Sequence, residues 1–458
     1  MGATALLAAV AYAVLGLVRL NTYRATSFDL VIVDQAVRNY AALRPPHIPV
    51  LGVFHGRGMD YLQLADHFSP AYALLAPLYW LHDGPETLIV AQAVLFAGAI
   101  PFLWRFTRRV LGVGPAYLVS VAYALSWPIA QAAAFDAHEV MFVPLLTAVA
   151  IERHHAGRLL PAGLALFALL LVKEDMGLMV IGAGLYLVVI GDRLRGALTV
   201  VYGLGAAILV RGLLIPAFGG DAKDFWAYGH LGPDAPSAIM ALLRDPIGAV
   251  LLPFSEEAKI DTLFLLAWPT LLLCLLSPLS LMALPHVLER VLSDRAQWWQ
   301  ADFHYSAFTV VILFCAGVDG LARLLRRIKR PDDASLKLAW SAAACVIAIT
   351  LVPQYALNRL YHPAFYSRPS AAAEAVAKVP RGVTVEAVNS LGPALTAKAT
   401  VLLWTRRSHG SPWVVADISR WEYPFGSADD QRAEVAELRT QGYVAVYENG
   451  GYVVLRRG

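Results

Sequence analysis

The chain has 458 residues, of which 58% are hydrophobic and 16% charged. Soluble globular proteins carry about a quarter charged residues, so this balance excludes an ordinary water-soluble domain. The formal net charge of +3 says little on its own, because in such a chain charge is segregated by side.

Apolar stretches recur from Ala3 to Pro353. The periodicity predicts about eleven spans, near 4–20, 86–104, 115–133, 140–151, 159–172, 176–190, 197–215, 262–276, 278–292, 306–322 and 337–353. Several are short for a straight crossing of ~20 residues, so tilt or re-entry is expected. The 262–292 region fits two spans, or one long span plus a re-entrant helix, equally well. The first run is long enough to cross and lacks a small-residue cleavage site, so it reads as an anchor. With the N-terminus inside, Arg105, Arg108, Arg109, Arg153, Arg158, Arg193, Arg195 and the cluster Arg323–Arg330 all fall on the cytoplasmic side. The acids Asp29, Asp34, Asp60, Asp66, Asp136, Glu139, Glu174 and Asp175 then collect on the outer side.

The first outer loop, 21–85, holds Asp29 and Asp34, five residues apart. On a helix they point about 140° apart. One reading is a general base that takes a proton from an attacking hydroxyl; the other is a helix cap and a solvated face. Asp66 reads as a cap for the apolar segment that follows, or as part of a site. His67 needs a polar partner or a cavity. Phe135-Asp136-Ala137-His138-Glu139 offers oxygen and nitrogen donors for a metal, or a plain turn between spans. Lys173-Glu174-Asp175 interrupts an apolar stretch, and Lys173 suits a phosphate as a point charge. Arg211 either snorkels to the headgroups or grips a phosphate. His304 and Tyr305 open the span before the strongest basic loop. Histidines 67, 138 and 304 thus map to one membrane face.

After Pro353 the character changes. Short strands are expected at 383–388, 400–404 and 413–417, a helix at 428–440, and a hairpin turning at Asn449-Gly450-Gly451. Cys274, Cys315 and Cys345 lie in apolar segments and suggest no disulfide framework. No phosphate-binding loop, dinucleotide fingerprint or zinc-finger spacing occurs, which excludes a nucleic-acid partner.

Taken in order, Phe28-Asp29-Leu30, Asp34-Gln35, His67-Phe68-Ser69-Pro70, Phe135-Asp136-Ala137-His138-Glu139, Lys173-Glu174-Asp175 and His304-Tyr305-Ser306 resemble a prokaryotic family of multi-spanning membrane proteins. That family carries a domain of unknown function and is grouped with the GT-C superfamily of membrane glycosyltransferases. The resemblance implies a polytopic α-helical, GT-C-like transmembrane domain over 1–355, a linker over 356–369 and an extracytoplasmic α/β domain over 370–458. It implies transfer of a hexosyl or pentosyl group, with inversion, from a polyprenyl-phosphate-linked sugar donor to an acceptor at the outer face of the cytoplasmic membrane. GT-C enzymes commonly carry an Asp-Glu pair in the first outer loop; here Asp29 is followed by Leu30, so Asp34 replaces the second acid or takes the role outright.

The resemblance makes Asp29 and Asp34 the catalytic candidates. Asp66, His67, His138, Glu139, Lys173, Glu174, Asp175, Arg211, His304 and Tyr305 become candidates for binding donor phosphate and substrate. A divalent cation, Mg or Mn, would sit at Asp29, Asp136 and His138. Two rival readings are a transporter or lipid flippase, and a non-catalytic membrane protein whose outer domain binds a partner.

Overall fold

The computed structural model describes residues 1–221 and 223–458. The longest apolar runs form helices of crossing length: Gly2–Asn21, Glu86–Leu111, Arg193–Ala217 and Ala334–Gln354. Two bent pairs, Val113–Ala124 with Trp127–Ala133 and Ala235–Arg244 with Pro246–Phe254, raise the number from 4 to 6 if each pair is one span. The chain is a polytopic, mostly helical membrane protein.

This is fewer than the eleven expected spans. Val143–His155, Leu159–Leu169 and Met176–Val189 are helical but only 13, 11 and 14 residues long. The 262–292 region follows neither expected alternative. It breaks into short 3-10 turns around Pro269 and Pro278, with Leu271 and Leu272 at φ 53° and 61°, and ends in the helix Leu284–Val291. Proline lacks the donor for an i−4 bond and clashes with the preceding turn, so an apolar run punctuated this way cannot stay one helix. The pair at 235–254 was absent from the expected spans. Asp234 and Asp245 each cap a helix start, accepting from Ser237 N and Gly248 N. Pro246 restarts the chain at a 104° bend.

Small residues set one close seam of the bundle. A Cβ on Gly177 would lie 2.7 Å from Gly203 O, and one on Gly184 2.7 Å from Gly196 O. The helices Met176–Val189 and Arg193–Leu209 therefore pack backbone on backbone, where dispersion replaces the hydrophobic drive that lipid removes.

The C-terminal strands are β1 (Thr384–Ala387), β2 (Thr400–Leu403), β3 (Trp413–Asp417), β4 (Tyr443–Asn449) and β5 (Tyr452–Arg457). They form one mixed sheet in the order β2-β1-β3-β5-β4. β1 runs parallel to β2 and β3, while β5 is antiparallel to β3 and β4. Gly450 and Gly451, at φ 57° and 84°, make the tight hairpin that side chains with a Cβ resist. The helix Ala428–Thr440 starts at Ser427, whose hydroxyl accepts from Asp430 N.

This sheet does not have a core to itself. Tyr23, Val31, Ala36, Ile48 and Leu51 from the first loop share one buried cluster with Val385, Val401, Trp404 and Val454. Gln35 Nε2 donates to Val401 O at 2.8 Å, and Ser27 N donates to Asn389 O at 2.8 Å. First loop and sheet are packed as one body over one end of the bundle.

Candidate functional site

Asp29 lies in a single π-helical turn, Ser27–Val31, that leads into the helix Ile32–Ala41. Such a turn inserts one residue beyond α geometry and is frequent at functional sites. Three contacts hold it. Thr26 donates through N and Oγ1 to Asp136 Oδ2, each at 2.8 Å. Asn389 Oδ1 accepts from Phe28 N at 3.2 Å. Ser27 Oγ donates to Asn389 O at 2.9 Å.

The turn presents Asp29 to a cavity of about 600 Å³. Its walls come from the first loop, from Phe135, His138 and Glu139, from Lys173, from Phe303, His304 and Tyr305, and from Asn389 and Tyr423. Asp29 Oδ1 is 3.1 Å from His138 Nε2. Burial disfavours charge on His138, but the carboxylates of Asp29, Glu139 and Asp136, Asp29 foremost, together raise the imidazole's pKa. His304 stacks on His138 with ring centroids 4.0 Å apart. Burial, and then the neighbouring His138 cation, hold His304 well below its ordinary value. The stack thus sets face to face two imidazoles whose pKa values are shifted in opposite directions.

Deeper in the wall, Lys173 Nζ donates to Glu139 Oε1 at 2.6 Å, and Tyr72 OH donates to Glu139 Oε2 at 3.1 Å. Burial works against the Glu139 charge, but Lys173 holds its carboxyl well below the usual range. His67 Nδ1 is 2.8 Å from Glu174 Oε1. That carboxylate lifts His67 to about 9 against the opposing effect of burial.

A second, smaller cavity of about 80 Å³ adjoins the first through His67, Lys173, Phe225 and Tyr305. Arg211, Arg290 and Arg295 line it. Arg290 is 3% exposed. It donates to Trp298 O at 2.7 Å and to Ser306 Oγ at 3.1 Å, and among the described residues no carboxylate pairs with it. A buried guanidinium without an acid is costly unless an anion visits. The chamber is therefore suited to a phosphate.

The remaining sequence candidates fall as follows. Asp66, the last residue of the short helix Gln63–Asp66, lines the large cavity; it does not cap the following turn, which starts at Ser69. Burial raises its pKa. Asp175 lines the small cavity, and burial raises it to about 6. Arg211 turns inward to Glu289 at 3.5 Å rather than reaching for headgroups. Asp34 is not beside Asp29 in the cavity. It is fully buried and accepts from Tyr79 OH and Thr396 Oγ1, both at 2.7 Å, with Arg38 3.1 Å away.

The expected metal trio is only partly assembled. Asp29 and His138 touch, but Asp136 spends its oxygens on Thr26 and on Arg19 at 3.4 Å. Among the described residues the group that could hold a metal ion is Asp175, His286 and Glu289.

Sequence reasoning missed His286, Glu289, Arg290, Asn389 and Tyr423. The first three sat in an expected span at 278–292, where three ionisable groups in five residues were themselves the signal. The last two carry no local pattern; only the packing of the sheet on the first loop brings them to the cavity.

The multi-spanning helical bundle with its mixed α/β unit has a GT-C-like fold. The chain belongs to the DUF2079 family of predicted membrane proteins, matching it over residues 19–454. No curated protein matches the chain. Among solved structures it is similar to ArnT from Cupriavidus metallidurans bound to undecaprenyl phosphate, at 14% identity and TM-score 0.53, covering 99% of this chain and 98% of that one. The apo state of the same enzyme gives 12% and 0.52, covering 99% and 97%. The Archaeoglobus fulgidus oligosaccharyltransferase tethered with an acceptor peptide gives 11% and 0.47, covering 100% and 74%.

Proposed function

We propose that this chain is a membrane glycosyltransferase acting on a polyprenyl-phosphate-linked sugar at the outer face of the cytoplasmic membrane. The observation that carries the reading is the adjacency of two chambers that share a wall of His67, Lys173, Phe225 and Tyr305. Asp29 faces the larger one, and Arg290, which has no carboxylate partner among the described residues, lines the smaller one. The similarity to a fold whose solved example holds undecaprenyl phosphate supports the same donor class.

Asp29 accepts the proton of an acceptor hydroxyl. That oxygen bonds to the anomeric carbon as the bond from that carbon to the phosphate oxygen breaks, with inversion. The polyprenyl phosphate leaves with the electron pair, and its growing charge falls to Arg290, Arg211 and Lys173. His138 orients Asp29 through the contact at 3.1 Å. The first-loop and C-terminal segments cover the reacting centre, with residues 370–458 on the outer side and the N-terminus inside.

The test is release of polyprenyl phosphate from a sugar-loaded donor by the purified chain in lipid nanodiscs. Asp29→Asn is expected to abolish release while leaving the protein monodisperse and its melting temperature unchanged. Full release by both Asp29→Asn and Asp34→Asn overturns a first-loop base. Movement of the donor lipid across proteoliposomes with no covalent product points instead to a transporter.

A further inference from the structure

We propose that Asp175, His286 and Glu289 form a binding site for one divalent transition ion of the zinc class. The site shares the small cavity with Arg211 and Arg290, but its metal binding does not depend on the transferase reading and holds even if the chain transfers no sugar.

His286 and Glu289 sit three residues apart on the helix Leu284–Val291, a spacing that puts both side chains on one face. His286 Nδ1 and Glu289 Oε2 are 3.3 Å apart. Two ligands of a tetrahedral ion with ~2 Å bonds lie about 3.4 Å apart, so this pair already has the edge length of such a site. Asp175 comes from a different element, one residue before the helix Met176–Val189. The ligand atoms of all three lie within 4.8 Å of one another. Closing that spread asks a small rotation of Asp175.

The second observation is what these groups lack. His286 is 1% exposed, and among the described residues neither ring nitrogen has a hydrogen-bond partner. Asp175 Oδ1 is likewise buried without one among them. Leaving a buried donor or acceptor unmet costs about 1–3 kcal/mol each, and one imidazole nitrogen and Asp175 Oδ1 belong to the same compact group of ligand atoms. Arg211 does not fill the gap. Its guanidinium reaches Glu289 Oε1 at 3.5 Å, which leaves Oε2 toward His286 and orients the carboxylate as an outer partner of a metal ligand does. Arg290, next in the chain, turns away to Trp298 and Ser306.

The two ligand-bearing elements are locked together. A Cβ on Gly182 would meet the carbonyl oxygens of Leu281 and Met282 at 2.5 Å. The helix that follows Asp175 therefore packs directly on the backbone that leads into His286.

Two carboxylates and a neutral imidazole supply a charge of −2 for a divalent ion. The imidazole disfavours magnesium and calcium and favours zinc and its neighbours. Three protein ligands leave a fourth position, as in open zinc sites, and it faces the small cavity.

The experiment uses the full chain, without a polyhistidine tag, in detergent. It is stripped with a chelator, equilibrated with zinc alone, passed through a desalting column and assayed for bound metal. One equivalent is expected. Asp175→Ala and His286→Ala, checked as monodisperse, are each expected to fall to background, while Asp29→Asn keeps its metal. Wild-type protein that retains no zinc overturns the site, as does zinc lost from Asp29→Asn but kept by His286→Ala. If the alanine variants aggregate, X-ray absorption on the zinc-loaded wild type decides. One imidazole with oxygen donors supports the site, and a shell without an imidazole overturns it.

Discussion

Thr396 Oγ1 donates to Asp34 Oδ2 at 2.7 Å, across 362 residues of sequence and with both groups buried. Asp34 also accepts from Tyr79 and faces Arg38, so one carboxylate ties the two ends of the first loop and the C-terminal unit together. Burial raises its pKa, and its hydrogen bonds offset part of that cost.

Asp34 therefore acts on stability. Thr396→Val removes one bond to a buried charge and is expected to destabilise by about 1–3 kcal/mol. Asp34→Ala leaves the buried Tyr79 and Thr396 hydroxyls without their acceptor, while Arg38 keeps Asp83, and is expected to cost about 1–3 kcal/mol for each unmet hydroxyl. Thermal unfolding of the purified protein reads both. An unchanged melting temperature in Asp34→Ala, with donor turnover lost, moves the base from Asp29 to Asp34.

Asn389 works on the position of Asp29. Its side-chain oxygen receives Phe28 N and its carbonyl receives Ser27 N, so a residue of the C-terminal unit fixes the turn that aims the carboxylate. Asn389→Ala removes only the first bond. Turnover is expected to fall on the order of 10- to 100-fold through misplacement of the base, with donor KM and melting temperature nearly unchanged. A fall in melting temperature that matches the loss of turnover makes Asn389 a structural residue only.

The pair His67–Glu174 predicts a pH dependence of stability. His67 rises from 6.5 to about 9 in the fold, so its contribution is complete below 6.5 and is lost as pH rises through about 9. Glu174 is lowered from 4.5, because His67, Lys173 and Arg211 together overcome burial; its contribution is complete above 4.5 and is lost as pH falls through its folded value. The pair stabilises most between 4.5 and 6.5. Melting temperature measured from pH 5 to pH 9.5 should fall on the alkaline side, and His67→Phe, which keeps the ring on Phe225, should flatten that limb. An identical limb in His67→Phe assigns the loss to other groups.

The sequence made one side of this architecture readable and hid the other. Gly450 and Gly451 announced their hairpin, because few residues tolerate positive φ. Asp29, His138, Lys173 and His304 stood out because charge in an apolar chain needs a reason, and all four line one cavity. Asp34 stood out equally, yet its partner Thr396 lies 362 residues away, a distance no local pattern reveals. The span count failed where prolines cut apolar runs into 3-10 turns, since hydropathy weighs composition and is blind to missing backbone donors.

Arg290 is the residue on which the phosphate chamber turns. It is held by Trp298 O and Ser306 Oγ, which leaves its remaining N–H groups for a ligand and fixes the plane of its fork. Arg290→Lys keeps the charge and loses both the fork and one of the two anchoring bonds. If the chamber receives the donor's phosphate, the lysine variant should raise donor KM about 10-fold and lower turnover further, because the contact strengthens as phosphate charge develops. Inorganic phosphate or pyrophosphate should inhibit the wild type by competing with donor and should inhibit the lysine variant more weakly. Unchanged KM, turnover and inhibition in Arg290→Lys place the leaving group elsewhere, with Lys173 and Arg211 the next residues to vary.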